Sequence, residues 1–416
     1  MEETPNSPSQ PRPGVVLAML LVVYTFNFLD RQILSILAQP VKADLGLTDA
    51  QMGALGGLAF AALFATMAIP LSLLADAKGR ARVIGVSLAV WSGFTALCGL
   101  AGNFTQLFLA RLGVGIGEAG GVAPSYAIIA ERFPPHSRAR ALAIYGLGVP
   151  MGSALGALGG AAIAQAVDWR AAFIVLGLAG LLAVIPFRLI VRDLPRAPEA
   201  EKTPPTAVFG RLARQSVFWL VSLGAGCCSL AGYGLAFWTP ALLQRSFGLS
   251  LVEMGQFIGG QFLIGGTIGI LLGGVLGDRI GRKDRAAYLR VPAMAYFLCL
   301  PTFLAGFFAP GATAAFFLLL LPSALSMFWL GPVTAAVQHL VPAQERATAS
   351  ASFLLINNGI GLGLGALVIG KLSDLFTPSL GAEALRHAMA WTTLSYVAAG
   401  VLMLLAAARL KAAWRD

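Results

Sequence analysis

Apolar residues arrive in long blocks separated by short polar intervals, and the blocks are too long for strands. A helix needs about 20 apolar residues to cross a hydrocarbon layer about 30 Å thick. Runs of that order fall near residues 15–38, 49–75, 83–102, 104–131, 138–166 and 171–191. A polar interval from Arg192 to Arg214 follows, with Pro195, Pro198, Pro204 and Pro205 among charges of both signs. It cannot cross a membrane and reads as a linker. Six more runs lie near 216–244, 252–277, 287–308, 311–341, 346–376 and 385–408. The pattern predicts an all-α polytopic membrane protein with twelve transmembrane helices. Its parts are a tail over 1–14, a six-helix bundle over 15–191, a linker over 192–215, a second six-helix bundle over 216–408 and a tail over 409–416.

Composition agrees: 57% of the 416 residues are hydrophobic and 12% are charged, where a soluble domain carries about 25% charged. The net charge of +10 raises the question of nucleic acid, but the bases sit in alternate loops. One side collects Arg12, Lys78, Arg80, Arg82, Arg132, Arg138, Arg140, the linker bases, the Arg279–Arg290 cluster, Arg346, Arg409, Lys411 and Arg415. The other side holds Lys42, Arg170, Arg245, Lys371 and Arg386. That bias puts both termini and the linker in the cytoplasm and makes the bilayer, not nucleic acid, the partner. Cys98, Cys227, Cys228 and Cys299 fall within apolar runs, and His136, His339 and His387 have no ligand spacing. Neither a metal nor a cofactor is expected. The tail before the first run lacks the basic start of a signal peptide, so that run is kept as a helix.

Two runs break the apolar rule. Asn27-Phe28-Leu29-Asp30-Arg31 places an acid and a base deep inside the first run, and Arg111-Leu112-Gly113-Val114-Gly115-Ile116-Gly117-Glu118 does the same in the fourth. Charges at that depth cost about 2.5–3.5 kcal/mol each on insertion scales and tend to be functional. Arg111 and Glu118 are seven residues apart, so they share a helix face about 10 Å apart. Asp30 and Arg31 diverge by about 100°. Arginine stays protonated, so Arg31 and Arg111 can hold an anion but not carry a proton. A buried carboxylate feels both desolvation and its neighbouring guanidiniums, and a cavity that opens and closes changes both. Asp30 is therefore expected to be the main proton site, with Glu118 coupled to it. The alternative is that the four charges are paired struts between helices. The glycines at 113, 115, 117, 120 and 121 are read as close packing.

The second half has no such acid or base. Its polar or aromatic cavity candidates are Tyr233, Gln261, Trp329, Asn357 and Asn358, joined from the first half by Asn27 and Tyr145. Charge on one side and apolar character on the other suit an amphiphile, although a small anion would also fit the arginines.

The halves echo one another. Ser72, Asp76, Gly79 and Arg80 after the second run correspond to Gly274, Asp278, Arg279, Gly281, Arg282 and Lys283 after the eighth. This loop resembles the signature between the second and third helices of the major facilitator superfamily, its second copy being the fuller one. Within that superfamily the chain resembles the Spinster lipid transporters and looks like a bacterial homologue. The matching stretches are Asn27 to Arg31, Arg111 to Ala119 and Val149-Pro150-Met151-Gly152-Ser153-Ala154-Leu155-Gly156. The resemblance implies a proton-linked carrier of lysolipid or sphingoid-type amphiphiles in a plasma membrane. It also implies that Asp76 and Asp278 act in a gate pairing the halves in the outward-facing state. Duplicated halves suit a carrier that rocks about a central site. One chain supplies both halves, so a monomer is expected. An enzyme would need a nucleophile with a base, clustered histidines or a metal set, and none is present. A channel would not need the duplication.

Overall fold

The computed structural model describes residues 11–193, 205–281, 284–342 and 345–414. The described chain is helical, and eleven segments are long and apolar enough to cross a membrane. The last of them, Thr348–Lys411, runs for 64 residues, far more than one crossing requires. It is interrupted at Gly381, whose φ of +53° is a left-handed value that glycine tolerates.

The first half begins with α1 (Pro13–Ile36), opened by a proline at its first position, where the missing N–H costs nothing. A short α2 (Ala38–Leu45) and α3 (Asp49–Gly56) turn the chain, and α4 (Leu58–Lys78) returns it. Next come α5 (Arg80–Cys98), α6 (Phe104–Ala119) with α7 (Val122–Arg132), α8 (Pro135–Gly146) with α9 (Gly148–Ala166), and α10 (Trp169–Ile190). The linker contains α11 (Pro205–Ala213), whose Val208 and Leu212 are buried. The second half comprises α12 (Ser216–Phe247), α13 (Leu251–Gly260), a π-helical turn over Gln261–Gly266, α14 (Thr267–Gly281), α15 (Ala287–Phe307), α16 (Ala312–Leu325) with α17 (Leu330–Gln338), α18 (Arg346–Leu380), α19 (Ala384–Thr392) and α20 (Leu394–Ala413).

Spans alternate direction, so the bundle has a near end, where α1 begins, and a far end. Four returning spans start at the far end with side-chain caps. Thr48 accepts from Gln51 N at 3.1 Å, Asn103 from Gln106 N at 3.0 Å, Asp168 from Ala171 N at 2.7 Å and Ser250 from Glu253 N at 3.4 Å. Each satisfies an amide that the helix start leaves unpaired. Within the halves, α1 packs on α9, α5 on α10, and α12 on α18 and α20. Contact between halves is made by α3 and α4 against α18, and by α9 against α13.

These inter-half contacts are backbone-close. A Cβ on Gly53 would lie 2.3 Å from Ala366 O, and one on Gly370 would lie 2.2 Å from Asp49 O. Small residues let two helices approach to this distance and gain dispersion contacts that larger side chains would prevent.

Candidate functional site

The four intramembrane charges come together where α1 faces α6. Arg31 Nε donates to Glu118 Oε2 at 2.7 Å, with Glu118 fully enclosed and the Arg31 side chain 16% exposed. The Asn27 amide lies beside Glu118. Asp30, next in the chain to Arg31, turns into the interior of the first half and is 1% exposed. Its neighbours are Glu118 and Arg111 from α6 and Thr95 and Trp91 from α5. Arg111 is 2% exposed, so of the two bases Arg31 is the more accessible.

Phenylalanines enclose the guanidiniums. The Arg31 Cζ stands 4.9 Å from the centroid of Phe28, 4.7 Å from Phe60 and 4.8 Å from Phe64. Arg111 Cζ lies 5.5 Å from Phe60, so that ring serves both bases. Each face contributes about 0.5–2 kcal/mol of cation–π attraction, more where water is excluded. The cage keeps Arg31 charged in an apolar place without committing all its donors to Glu118. Nearer the N-terminus of α1, Tyr24 stacks on Tyr145 with centroids 4.3 Å apart, and Tyr126 meets Tyr145 edge-on. The glycines of α6 make room for this arrangement. A Cβ on Gly115 would stand 2.4 Å from Phe60 O, and one on Gly117 would stand 2.5 Å from Trp91 N.

The second-half candidates divide. Tyr233 of α12 lies in the electrostatic reach of Arg31 and so belongs to the charged site. Asn357 accepts from Ser229 Oγ at 2.8 Å and is 1% exposed, joining α18 to α12, while Asn358 beside it is half-buried. Gln261, at the start of the π-turn, donates to Phe316 O at 2.7 Å and accepts from Ser323 Oγ at 3.1 Å. Its amide is occupied in tying the π-turn to α16. Trp329 sits in the break between α16 and α17, edge-on to Phe353.

At the near end, Asp76 pairs with Arg80 at 3.2 Å, and Arg80 also meets Glu131. Gly79 has φ +107°, and a Cβ there would strike the Asp193 carboxylate at 2.4 Å. Asp193 in turn caps α5, accepting from Ala81 N at 2.7 Å. Among the described residues, the first copy of the loop motif is tied to its own half through Arg80, Glu131 and Asp193. Of the second copy, Gly274, Asp278, Arg279 and Gly281 occupy the closing turns of α14, with Arg279 exposed, while Arg282 and Lys283 lie outside the described residues.

At the far end is a cluster the sequence reading missed. Asp49 is 2% exposed and accepts from Arg245 Nη1 at 2.7 Å, Arg245 Nη2 at 2.6 Å, Ser373 Oγ at 2.7 Å and the Lys42 ammonium. The Asp374 carboxylate accepts from Asp49 N at 3.0 Å and Ala50 N at 2.7 Å, capping α3 of the first half from α18 of the second. Arg245 Nε donates to Gln39 at 3.0 Å. In the sequence Lys42 and Arg245 are stray bases in loops, and Asp49 is an ordinary first-turn acid. Nothing local signals that they meet.

Comparison with known proteins gives a consistent picture. The Major Facilitator Superfamily model matches residues 20–366. An "MFS-type efflux pump" of Mycolicibacterium smegmatis is 35% identical over 382 residues, covering 91% of this chain and 88% of that protein. "Protein spinster homolog 1" of Bos taurus is 27% identical over 387 residues, covering 87% and 73%. A crystal structure of a bacterial homolog to the human lysosomal transporter Spinster, inward-facing and unoccupied, superposes with a TM-score of 0.89 at 29% identity. That superposition covers 98% of this chain and 99% of the other.

Proposed function

Since the chain belongs to the Major Facilitator Superfamily, we propose that it is a proton-coupled secondary transporter working by alternating access on an anionic amphiphile. The observation that carries this reading is the enclosed Arg31–Glu118 pair at 2.7 Å beside the Asp30 carboxylate. A permanent strut would not need a third ionisable group within reach of the pair. A coupled carrier does, because the substrate anion and the proton must compete for, or share, one electrostatic site. When an anion binds Arg31, Glu118 loses its partner and becomes a proton acceptor. Asp30, sharing the field of Arg111 and Glu118, takes up or releases the proton as the cavity changes sides.

The lipid-like substrate is favoured by the Phe28, Phe60 and Phe64 cage beside Arg31, which offers an apolar wall next to an anion donor. The likeness to Spinster proteins supports the same class. A second reading, carriage of small organic anions or drugs, is favoured by relatives named "Probable L-galactonate transporter" of Escherichia coli and "Hexuronate transporter" of Bacillus subtilis.

In this proposal the Thr348–Lys411 segment crosses twice, giving twelve crossings in two bundles, a cytoplasmic near end and both termini inside. A single chain in a bacterial inner membrane then forms the whole carrier. The far end, held by Asp49 and Arg245, is the closed outer gate, so the cavity opens inward.

The test uses purified protein in liposomes that enclose a pH dye. Lysophospholipid, sphingoid phosphate or a small organic anion is added to wild type and to Asp30→Asn. Substrate-dependent proton flux that disappears in the variant is expected. Substrate movement with no proton flux in either protein would make the chain a uniporter and Asp30 a structural charge.

A further inference from the structure

Three buried polar side chains from two helices, Asp30 of α1 with Trp91 and Thr95 of α5, meet in the interior of the first half. Asp30 Oδ1 and Oδ2, Trp91 Nε1 and Thr95 Oγ1 each lack a partner among the described residues. Trp91 is fully enclosed and Thr95 is 1% exposed. Both are near enough to act on the Asp30 carboxylate as hydrogen-bond donors, although neither contact reaches full hydrogen-bond geometry. Orphaned buried donors and acceptors are rare because each forfeits its bond to water and gains nothing in return. Here the inventory matches: an indole N–H and a hydroxyl that can donate face a carboxylate that can only accept when ionised and can donate when protonated.

We infer that Trp91 and Thr95 of α5 are the positioning residues of the Asp30 carboxylate, closing on it when it is ionised and releasing it when it is protonated. This rests on Asp30 being a proton site, as proposed above. The local packing gives the device its place. Gly117 of α6 admits the Trp91 backbone at a distance no side chain would allow, and Gly121 lies against the indole ring. The close approach of α5 and α6 brings both donors to α1. A small shift of α5 along α1 makes or breaks two hydrogen bonds, so protonation and helix position become linked. The other groups facing Asp30 are Glu118 and Arg111 from α6 and Cys98 from α5. Arg31 on its own helix is turned to Glu118. On the opposite side α9 carries no charged residue, α10 holds Arg170 and Arg188 near its ends, and the Tyr145 and Tyr233 hydroxyl groups belong to α8 and α12.

The experiment is an infrared titration of the purified full chain, reading the carboxyl C=O band without any substrate. Asp30→Asn identifies the Asp30 band. Thr95→Val keeps the shape of the side chain and removes its donor, Trp91→Phe removes the indole N–H, and Thr95→Ser retains a hydroxyl. Thr95→Val and Trp91→Phe each remove one donor to the ionised carboxylate. The Asp30 midpoint is expected to move about one pH unit toward higher pH in each, a tenfold gain in proton affinity. Thr95→Ser should keep the wild-type midpoint. An unchanged midpoint in Thr95→Val or in Trp91→Phe overturns the assignment of that residue. If Asp30→Asn removes no titrating band, the reading of Asp30 as a proton site fails instead, and the two failures are distinguished by the same titration.

Discussion

Arg245 and Asp49 stand 196 positions apart in the chain and are joined by two parallel hydrogen bonds of 2.6 and 2.7 Å. The fork geometry of a guanidinium fits a carboxylate in this way, and a lysine could not reproduce it. One partner belongs to each half, so the pair ties the two halves together at the far end.

Asp49→Asn should loosen that end. Removing one member of a buried pair costs about 3–5 kcal/mol, and about 5.5 kcal/mol carries a two-state equilibrium from 1:99 to 99:1. The variant is therefore expected to populate both states. Spin labels at the exposed Ala43 and Ser379 should report a second, longer distance that wild type lacks. A single unchanged distance would show that the clamp does not set the conformational balance.

Glycines at the same seam make a second prediction. In Gly370→Ala the new methyl would meet Asp49 O at 2.2 Å, where only backbone movement gives relief. The halves should separate there, lengthening the same label distance. Gly159→Ala, with nothing within 4 Å of its Cβ, serves as the contrast. It is expected to leave the distance unchanged and to raise thermal stability slightly, since alanine favours a helix over glycine by about 1 kcal/mol. Equal behaviour of the two variants would refute the packing argument.

The Arg31–Glu118 pair should behave as a coupled unit. Glu118→Gln leaves a guanidinium in an apolar cage and is expected to cost about 3–5 kcal/mol. Arg31→Gln alone leaves an enclosed carboxylate and should cost a similar amount. The double variant should lose much less than the sum of the two, because no unpaired charge remains. Denaturation midpoints of the four proteins form the cycle, and simple additivity would mean that the two side chains do not interact.

The final helix docks at the near end through charge. Asp284 holds Lys411 at 3.2 Å and Arg290 at 2.9 Å, and Trp414 stacks on His339 with ring centroids 4.1 Å apart. The hydrogen bond from Lys411, followed by smaller contributions that include Arg290, depresses the Asp284 carboxyl below its ordinary value. A depressed folded-state value means that the contribution is complete above the ordinary carboxylate range. It is lost as pH falls through the folded value. Hydrogen exchange in the last turns of α20 should be slow and steady at neutral pH and speed up only in strong acid. Asp284→Asn should give the faster exchange already at neutral pH. Equal exchange in variant and wild type would mean that the Asp284 ion pairs do not hold the segment.

Much of the fold was legible because burial in lipid imposes its own grammar. A backbone that cannot bond to water must be helical or close into a barrel, and blocks of about 20 apolar residues are helix length and far longer than a barrel strand. Asp30, Arg31, Arg111 and Glu118 stood out for the same reason: a charge there has no cheap explanation. The sequence reading could say that Asp30 and Arg31 diverge, but not which one meets Glu118. That depends on the rotation of α1, which its close packing on α9 through Gly148, Gly152 and Gly156 sets. The breaks within spans were less legible, since a π-turn at Gln261 or an unwound stretch before Leu330 leaves hydrophobicity unchanged.

The order of apolar and polar residues by itself determined the helical class and the presence of a charged centre, because both follow from local transfer energies. Tertiary structure alone decided the partners. Arg31 rather than Arg111 holds Glu118, Asp30 faces Trp91 and Thr95, and Asp49 meets Arg245. These pairings arise from how rigid helices rotate and approach until steric fit is satisfied, a property of the packed bundle that no single segment carries.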